Sequence, residues 1–212
     1  MSLHEPSVKK VIAFIDGQNL LYAVKNSFGY PFPNYDVKAL AEKICRQQGW
    51  DLKQVRFYTG VPDGNDDQFW YDFWTRKLAT MGQKGVVIYS RRLHYRNQTV
   101  SLPNGRAHTF LVGQEKGIDV RIALDIIRAA HQKTCDVCLV FSQDQDLSEV
   151  ADEVRVIAKE QGRWIKMASA FPVSPTAKNT RGINRTDWVM IDRKTYDTCI
   201  DSNDYRKGSP SR

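Results

Sequence analysis

Short, almost continuously apolar runs alternate along the chain with longer segments in which apolar residues recur every three or four positions. The first pattern is typical of strands buried on both faces of a sheet, and the second of amphipathic helices. Strands are predicted at 11–15, 54–61, 84–90, 136–142, 163–170 and 187–192, and helices at 17–28, 35–49, 66–82, 117–132 and 146–162.

This order predicts an α/β fold with three layers, in which helices cover both faces of a mostly parallel sheet. Residues 91–113 are different, because two β-like arms flank a Pro-Asn-Gly turn and so predict a β-hairpin insertion. The aromatic run at 68–78 is interpreted mainly as core, with Trp70, Phe73 and Trp74 at helical spacing. The stretch 170–186 is the one long loop-like segment.

The length of 212 residues and the hydrophobic content of 42% suit one ordinary domain, which we place at 9–200 with flexible tails at 1–8 and 201–212. No apolar run approaches the roughly 20 residues of a membrane span, and the N-terminus has no apolar stretch of the signal-peptide kind. We therefore expect a cytoplasmic protein with no membrane partner. The sequence leaves the oligomeric state open.

Lysine and arginine number 31 against 24 acidic residues, which gives a net charge of +7. Such an excess favours encounter with polyanions through a long-range, salt-sensitive field. Many basic proteins bind no nucleic acid, so composition alone does not assign a partner.

Cys135 and Cys138 form a C-x-x-C pattern preceded by His131. The pattern has the spacing of a zinc or redox site. Cys138, however, lies within a predicted buried strand, and the chain has no second pair with ligand spacing. We interpret both residues as core cysteines.

Acidic residues stand where predicted strands end, although the chain is basic overall. Asp16 follows the first strand, Asp144 and Asp146 follow the strand at 136–142, and Asp119 lies at the start of the helix that leads into that strand. Each alone has an ordinary interpretation as a helix cap, a turn former or a favourable charge in a first helical turn. In a parallel sheet, however, these positions converge on one edge, where ligands bind.

A convergent cluster of carboxylates is costly without a cation. At about 5 Å and an effective dielectric constant near 20, each pair repels by about 3 kcal/mol. Mg²⁺ or Mn²⁺ held by a few carboxylates and waters suits such a site and suits phosphate chemistry, whereas zinc is disfavoured because no histidine is interleaved. A D-x-D pattern also occurs in glycosyltransferases, so it does not name the substrate.

Three motifs in order carry a family resemblance: "FIDGQNL", "EKGIDVRIALD" and "FSQDQDL". Over roughly residues 9 to 170 the chain resembles the NYN domain family, in the LabA-type branch of the PIN-like nucleases. The resemblance implies a PIN-like fold with an acidic metal-binding cleft and ribonuclease or RNA-processing activity. By motif it implies catalytic roles for Asp16, Asn19, Asp119, Asp144 and Asp146, with the four aspartates as metal ligands.

The chain departs from the family at Gln143 and Gln145, where the family usually has glycine. Glycine lets a backbone approach a phosphate closely or adopt positive φ. We therefore expect the two glutamines to narrow or reshape the cleft.

The hairpin is the candidate surface for nucleic acid, because cations there alternate with an aromatic ring. A solvated edge protected by charge is the alternative. Lys116, beside Asp119, is a further candidate to meet a phosphate, and a simple charge pair is the alternative. The candidate residues are Arg91, Arg92, His94, Tyr95 and Arg96 in the first arm, Arg106 with His108 in the second, and Lys116.

The first functional hypothesis is an endoribonuclease that depends on Mg²⁺ or Mn²⁺ and acts on single-stranded RNA, with Asn19 steadying a carboxylate or a water. The second is a non-catalytic RNA-binding adaptor that keeps the fold and the basic arm. The third is a phosphatase acting on small phosphate esters.

Overall fold

The structure is a computed structural model that describes residues 4–101 and 106–206. The predicted Pro-Asn-Gly turn, at 103–105, lies outside these ranges. None of the helices in the described ranges is long and apolar enough to cross a bilayer.

The central sheet is parallel throughout, and each predicted strand is found. Its strands are β1 (Lys10–Asp16), β2 (Asp51–Val61), β3 (Val87–Arg92), β6 (Val137–Phe141), β7 (Lys166–Pro172) and β8 (Asp187–Ile191), while β4 (His94–Ser101) and β5 (Ala107–Gln114) form a separate antiparallel hairpin. The strand order in the central sheet is β3-β2-β1-β6-β7-β8, so the last predicted strand lies at the sheet edge.

Helices cover both faces of the sheet, as predicted. Alternate residues of β1 enter two different clusters: Val11, Ala13 and Ile15 pack on one face, and Ile12 and Phe14 on the other. The first face carries α1 (Gly17–Phe28), α2 (Val37–Gln47), α3 (Gln68–Gln83) and α6 (Arg193–Asp197), and the second carries α4 (Ile118–His131) and α5 (Ser148–Glu160).

Local chemistry explains the helix boundaries. Asp36 caps α2 by accepting hydrogen bonds from the backbone N–H groups of Lys38 and Ala39 at 3.0 and 3.1 Å, as its position before the apolar run predicts. The helix α6 was not predicted. Its five residues are too few to show a helical period.

The hairpin begins later than predicted. Arg91 and Arg92 end β3 and pair with Gly60 and Val61 of the central sheet, whereas the hairpin starts at His94. The segment predicted as one hairpin therefore contributes to two sheets: Arg91 and Arg92 belong to the central sheet, and the strands β4 and β5 form the insertion.

The packed part of the chain extends past residue 200, where we expected a tail to begin. Tyr205 is buried against the first cluster, and its ring centroid lies 4.9 Å from Lys77 Nζ. Lys77 is fully buried in α3; its ammonium donates to the Tyr35 carbonyl at 2.8 Å and lies 3.5 Å from the Asp201 carboxylate. The contacts of Lys77 with Asp201 and Tyr205 thus link residues 201–205 to the core.

Cys135 and Cys138 are both buried, with their Sγ atoms 3.5 Å apart and no disulfide. They pack in the second cluster, whereas His131 is exposed. This placement agrees with their interpretation as core cysteines.

Candidate functional site

A cavity of about 270 Å³ opens at the carboxyl ends of β1 and β6. We call it the acidic cavity. Four of the five residues predicted to form a site line it. Its lining consists of Asp16, Gln18, Asn19, Tyr22, Glu115, Ile118, Asp119 and Asp144.

Asp16 is positioned by the turn from β1 into α1. One carboxylate oxygen accepts the backbone N–H of Asn19 at 3.0 Å and so caps α1, while the other accepts the hydroxyl of Ser142 at 3.2 Å. The residue is only 7% exposed. Asp16 therefore both caps α1 and contributes a carboxylate to the acidic cavity.

The loop after β6 is tied to the start of α1. The Asn19 side-chain oxygen accepts the backbone N–H of Gln143 at 2.9 Å, and Ser142 Oγ accepts that of Asp144 at 3.1 Å. Asp144 caps a one-turn 3-10 helix, Gln145–Leu147, which precedes α5. These bonds fix the separation between Asp16 and Asp144.

Asp119 lies in the first turn of α4, where its charge also complements the helix dipole. The helix has no side-chain cap, and Gly117 at its N-terminus has a φ of 72°, which favours glycine. No hydrogen bond or ion pair to Asp119 is found within the described part of the chain. Its carboxylate is available to a ligand.

Glu115 is a further acidic lining residue that the sequence analysis missed. It lies between β5 and α4 and accepts the backbone N–H of Gly60 at the end of β2. A Cβ on Gly60 would lie 2.6 Å from Glu115 Cγ, so a side chain at that position would displace the glutamate. Its place as the first residue of the motif "EKGIDVRIALD" was the available sequence signal.

The carboxylates of the acidic cavity affect each other's protonation. Burial raises the pKa of Asp16 to about 6; hydrogen bonds from Asn19 and Ser142 oppose this shift, and the charges of Asp144 and Asp119 add to it. Burial likewise raises the pKa of Glu115 to about 7; the hydrogen bond from the Gly60 N–H opposes this shift, and the charge of Asp16 adds to it. A cation in the cavity would favour the charged form of both groups.

The donor set suits a hard cation, because it offers carboxylate and amide oxygens with neither histidine nor cysteine. Among the described residues, no three acidic, histidine or cysteine side chains are close enough to form a preassembled metal site. The acids instead surround an open volume. Mg²⁺ usually keeps several of its waters, so a hydrated ion fits this arrangement better than a fully protein-coordinated one.

Asp146 is placed differently from the expectation. It is exposed in the 3-10 helix and does not line the acidic cavity; its backbone N–H donates to Asp144 Oδ1 at 3.0 Å. Because the chain turns into the 3-10 helix between Asp144 and Asp146, the second aspartate lies outside the acidic cavity.

Gln143 and Gln145 point to the long loop and not into the acidic cavity. The Gln143 amide donates to the Arg181 carbonyl at 2.8 Å. The Gln145 amide donates to the Gly182 carbonyl and accepts the backbone N–H of Asn184, both at 3.1 Å. Neither glutamine lines the cavity, so they do not narrow it directly; that they reshape it stays a prediction. They fasten the loop that follows β7.

A second cavity, of about 420 Å³, has a basic lining. We call it the basic cavity. It brings Arg91, His94 and Lys116 together with Arg121, which the sequence analysis did not single out. The Arg91 guanidinium is held by the Tyr89 hydroxyl at 2.5 Å and by the Lys116 carbonyl at 3.3 Å. Residues that line the basic cavity, such as Lys116 and Val120, are neighbours in the chain of Ile118 and Asp119, which line the acidic one.

The other predicted nucleic-acid residues lie apart from the basic cavity. Arg92 pairs with Asp63 at 3.0 Å, and Arg96 is exposed on the hairpin. Tyr95 lines a third cavity, and Arg106 lies exposed just before β5. The predicted set is therefore spread over several surfaces.

A parallel α/β sheet with acids gathered at the carboxyl ends of its central strands is the architecture of a PIN-like fold. A model of the NYN domain matches residues 10–179, and the chain belongs to this family. The predicted family is thus confirmed. PIN-like nucleases generally use divalent metals.

A crystal structure of a protein of unknown function from Vibrio parahaemolyticus is similar in fold, with 19% identity and a TM-score of 0.50 over 87% of this chain and 94% of that one. A structure of MurG from Acinetobacter baumannii matches with 12% identity and a TM-score of 0.32, over 85% of this chain and 45% of that one. No curated protein matches the sequence.

Proposed function

We propose that the protein is an endoribonuclease that depends on Mg²⁺ or Mn²⁺ and acts on single-stranded RNA. The observation that carries this proposal is that neighbouring residues at the start of α4 line the acidic and the basic cavities. Ile118 and Asp119 line the acidic cavity, while Lys116, Val120 and Arg121 line the basic one. A phosphodiester chain can therefore meet cations immediately beside the carboxylates.

The proposed metal ligands are Asp16, Asp119 and Asp144, with Glu115 in place of Asp146. When bound, the ion supplies Lewis-acid polarisation of the phosphodiester and activation of water. Ser142 and Asn19 orient the ligands: the first bonds to Asp16 and to the loop of Asp144, and the second bonds to that same loop. Such supporting bonds preserve the geometry of a charged site.

The protein's own charges also position the substrate. Arg91 is fixed between Tyr89 and the Lys116 carbonyl, so its guanidinium loses little further freedom when it binds a phosphate. Lys116 and His94 supply the adjacent positive groups. Membership of the LabA-type branch and a cytoplasmic location stay predictions.

The test compares two aspartates that differ in placement. Asp119→Asn should reduce cleavage of a labelled single-stranded RNA in Mn²⁺ by at least about 100-fold, as loss of a ligand would. Asp146→Asn, the matched control outside the acidic cavity, should keep the wild-type rate. Addition of EDTA should stop cleavage. Equal rates for the two variants would refute the proposed ligand set.

An RNA-binding adaptor without catalysis is the second candidate, and the lack of a preassembled three-ligand site within the described residues favours it. It predicts RNA binding without cleavage in either metal. A phosphatase predicts hydrolysis of p-nitrophenyl phosphate without RNA binding. The same reactions therefore separate the three hypotheses.

A further inference from the structure

A third cavity, of about 590 Å³, lies beside the acidic cavity and is the largest of the three. We call it the aromatic cavity, because Tyr22, Trp70, Trp74 and Tyr95 line it. Its volume falls in the range of about 300–1,000 Å³ typical of sites for small organic groups. The proposed cleavage chemistry does not use it.

The two cavities are continuous. Gln18, Tyr22 and Glu115 line both of them. Gln18 and Tyr22 lie four residues apart on one face of α1, and Lys25 continues this face into the aromatic cavity. A molecule bound at the carboxylates can therefore extend into the aromatic cavity without leaving the protein surface.

The lining selects against a phosphate in the aromatic cavity. Asp66 and Asp67 are acidic, and Lys25 is the one cation among its lining residues. A flat uncharged ring with polar edges suits these walls better, because aromatic side chains stack on nucleobases. Carboxylates and an amide can bond to the base edge, and the Gln18 amide has no hydrogen-bond partner within the described ranges.

The hairpin separates positive from aromatic surface. Successive residues of β4 face opposite ways, so His94 lines the basic cavity and Tyr95 lines the aromatic one. The acidic cavity shares lining residues with the aromatic cavity, and it and the basic cavity are lined by neighbouring residues at the start of α4. A nucleotide chain can thus place a phosphate on the basic side and a base on the aromatic side.

We propose that the aromatic cavity binds one unpaired nucleobase of an RNA whose backbone crosses the acidic cavity, an inference that rests on the function proposed above. A base can enter only when it is unstacked and unpaired. The cavity thereby selects single-stranded RNA and fixes which phosphate lies at the carboxylates.

The test uses a single-stranded RNA octamer that carries one 2-aminopurine ribonucleotide, placed at each position in turn, with EDTA present. The fluorescence of 2-aminopurine falls when its ring stacks. We expect wild type to quench it most at one position. Tyr22→Ala should abolish that quenching and weaken binding at least about fivefold, the lower end of the effect of one base–aromatic stack.

Tyr22 is 54% exposed, so its truncation should leave the fold intact. Tyr71→Ala is the matched control, because Tyr71 is 40% exposed and does not line the aromatic cavity. An octamer with an abasic residue at the quenched position should bind wild type and Tyr22→Ala equally, since the stack is then already lost.

The outcomes separate this inference from the proposed function. Binding without position-dependent quenching would overturn the base site, as would equal effects of Tyr22→Ala and Tyr71→Ala on quenching and affinity. Neither outcome bears on the proposed cleavage activity. Quenching with its loss in Tyr22→Ala supports the base site even if no metal restores cleavage. Failure of the octamer to bind at all overturns the base site, while the proposed function is judged separately by cleavage in Mn²⁺.

Discussion

Substitution of Asp16 by Asn tests how strongly the acidic cavity opposes ionisation. Burial raises the pKa of Asp16 from 3.8 to about 6. An acid whose pKa is raised on folding contributes stability while it is protonated and loses that contribution as pH increases through the folded pKa. The metal-free protein should therefore lose stability between about pH 4 and 6 through Asp16, and Asp16→Asn should show only the loss that comes from Glu115, whose pKa is also raised.

The size of the effect follows from the shift. About 2 pKa units at 1.36 kcal/mol each give an unfolding free energy difference of about 3 kcal/mol near pH 8. Asn retains an oxygen that can cap α1, and the Ser142 hydroxyl can turn to accept from the new amide. Imperfect replacement of these bonds costs about 0.5–1.5 kcal/mol, so the net gain in stability near pH 8 should be about 1.5–2.5 kcal/mol.

The assay is urea unfolding in EDTA across about pH 4 to 8 for wild type and Asp16→Asn. Asp36→Asn is the control, since Asp36 also caps a helix. Burial acts to raise the pKa of Asp36, but the hydrogen bond from Lys84 and two backbone N–H groups lower it overall. Its replacement should therefore destabilise the protein more at high pH. A pH-independent difference between Asp16→Asn and wild type would refute the reasoning.

Two further predictions concern the surface and the long loop. Lys116→Ala should reduce the slope of RNA affinity against salt concentration by about one unit on logarithmic axes. Lys159 is exposed and lies outside the cavities, so Lys159→Ala should leave the slope unchanged. Filter binding at several salt concentrations measures both slopes. Gln145→Ala removes hydrogen bonds to Gly182 and Asn184, which are worth about 1–3 kcal/mol together. Hydrogen exchange at the Asn184 amide should therefore accelerate many-fold, while exchange in β1 stays unchanged. An unaltered exchange rate at Asn184 would contradict the role of Gln145 in fastening the loop.

Local patterns carried most of the fold. The run Val11–Ile15 is apolar at every position because both faces of the central strand are covered, and the sequence shows this directly. Helix starts followed from acidic caps such as Asp36. The convergence of Asp16, Asp119 and Asp144 was also predictable, because the carboxyl ends of parallel strands share one edge.

The tertiary structure alone decided which neighbours each side chain meets. Glu115 enters the acidic cavity because Gly60, 55 residues away, leaves room for it and supplies an N–H. Gln143 and Gln145 turn to a loop almost 40 residues downstream, and Asp146 turns away from Asp144. Periodicity and caps depend on residues within one or two turns, so sequence determines them. Cavities and their linings depend on contacts between distant segments, which only the packed chain defines.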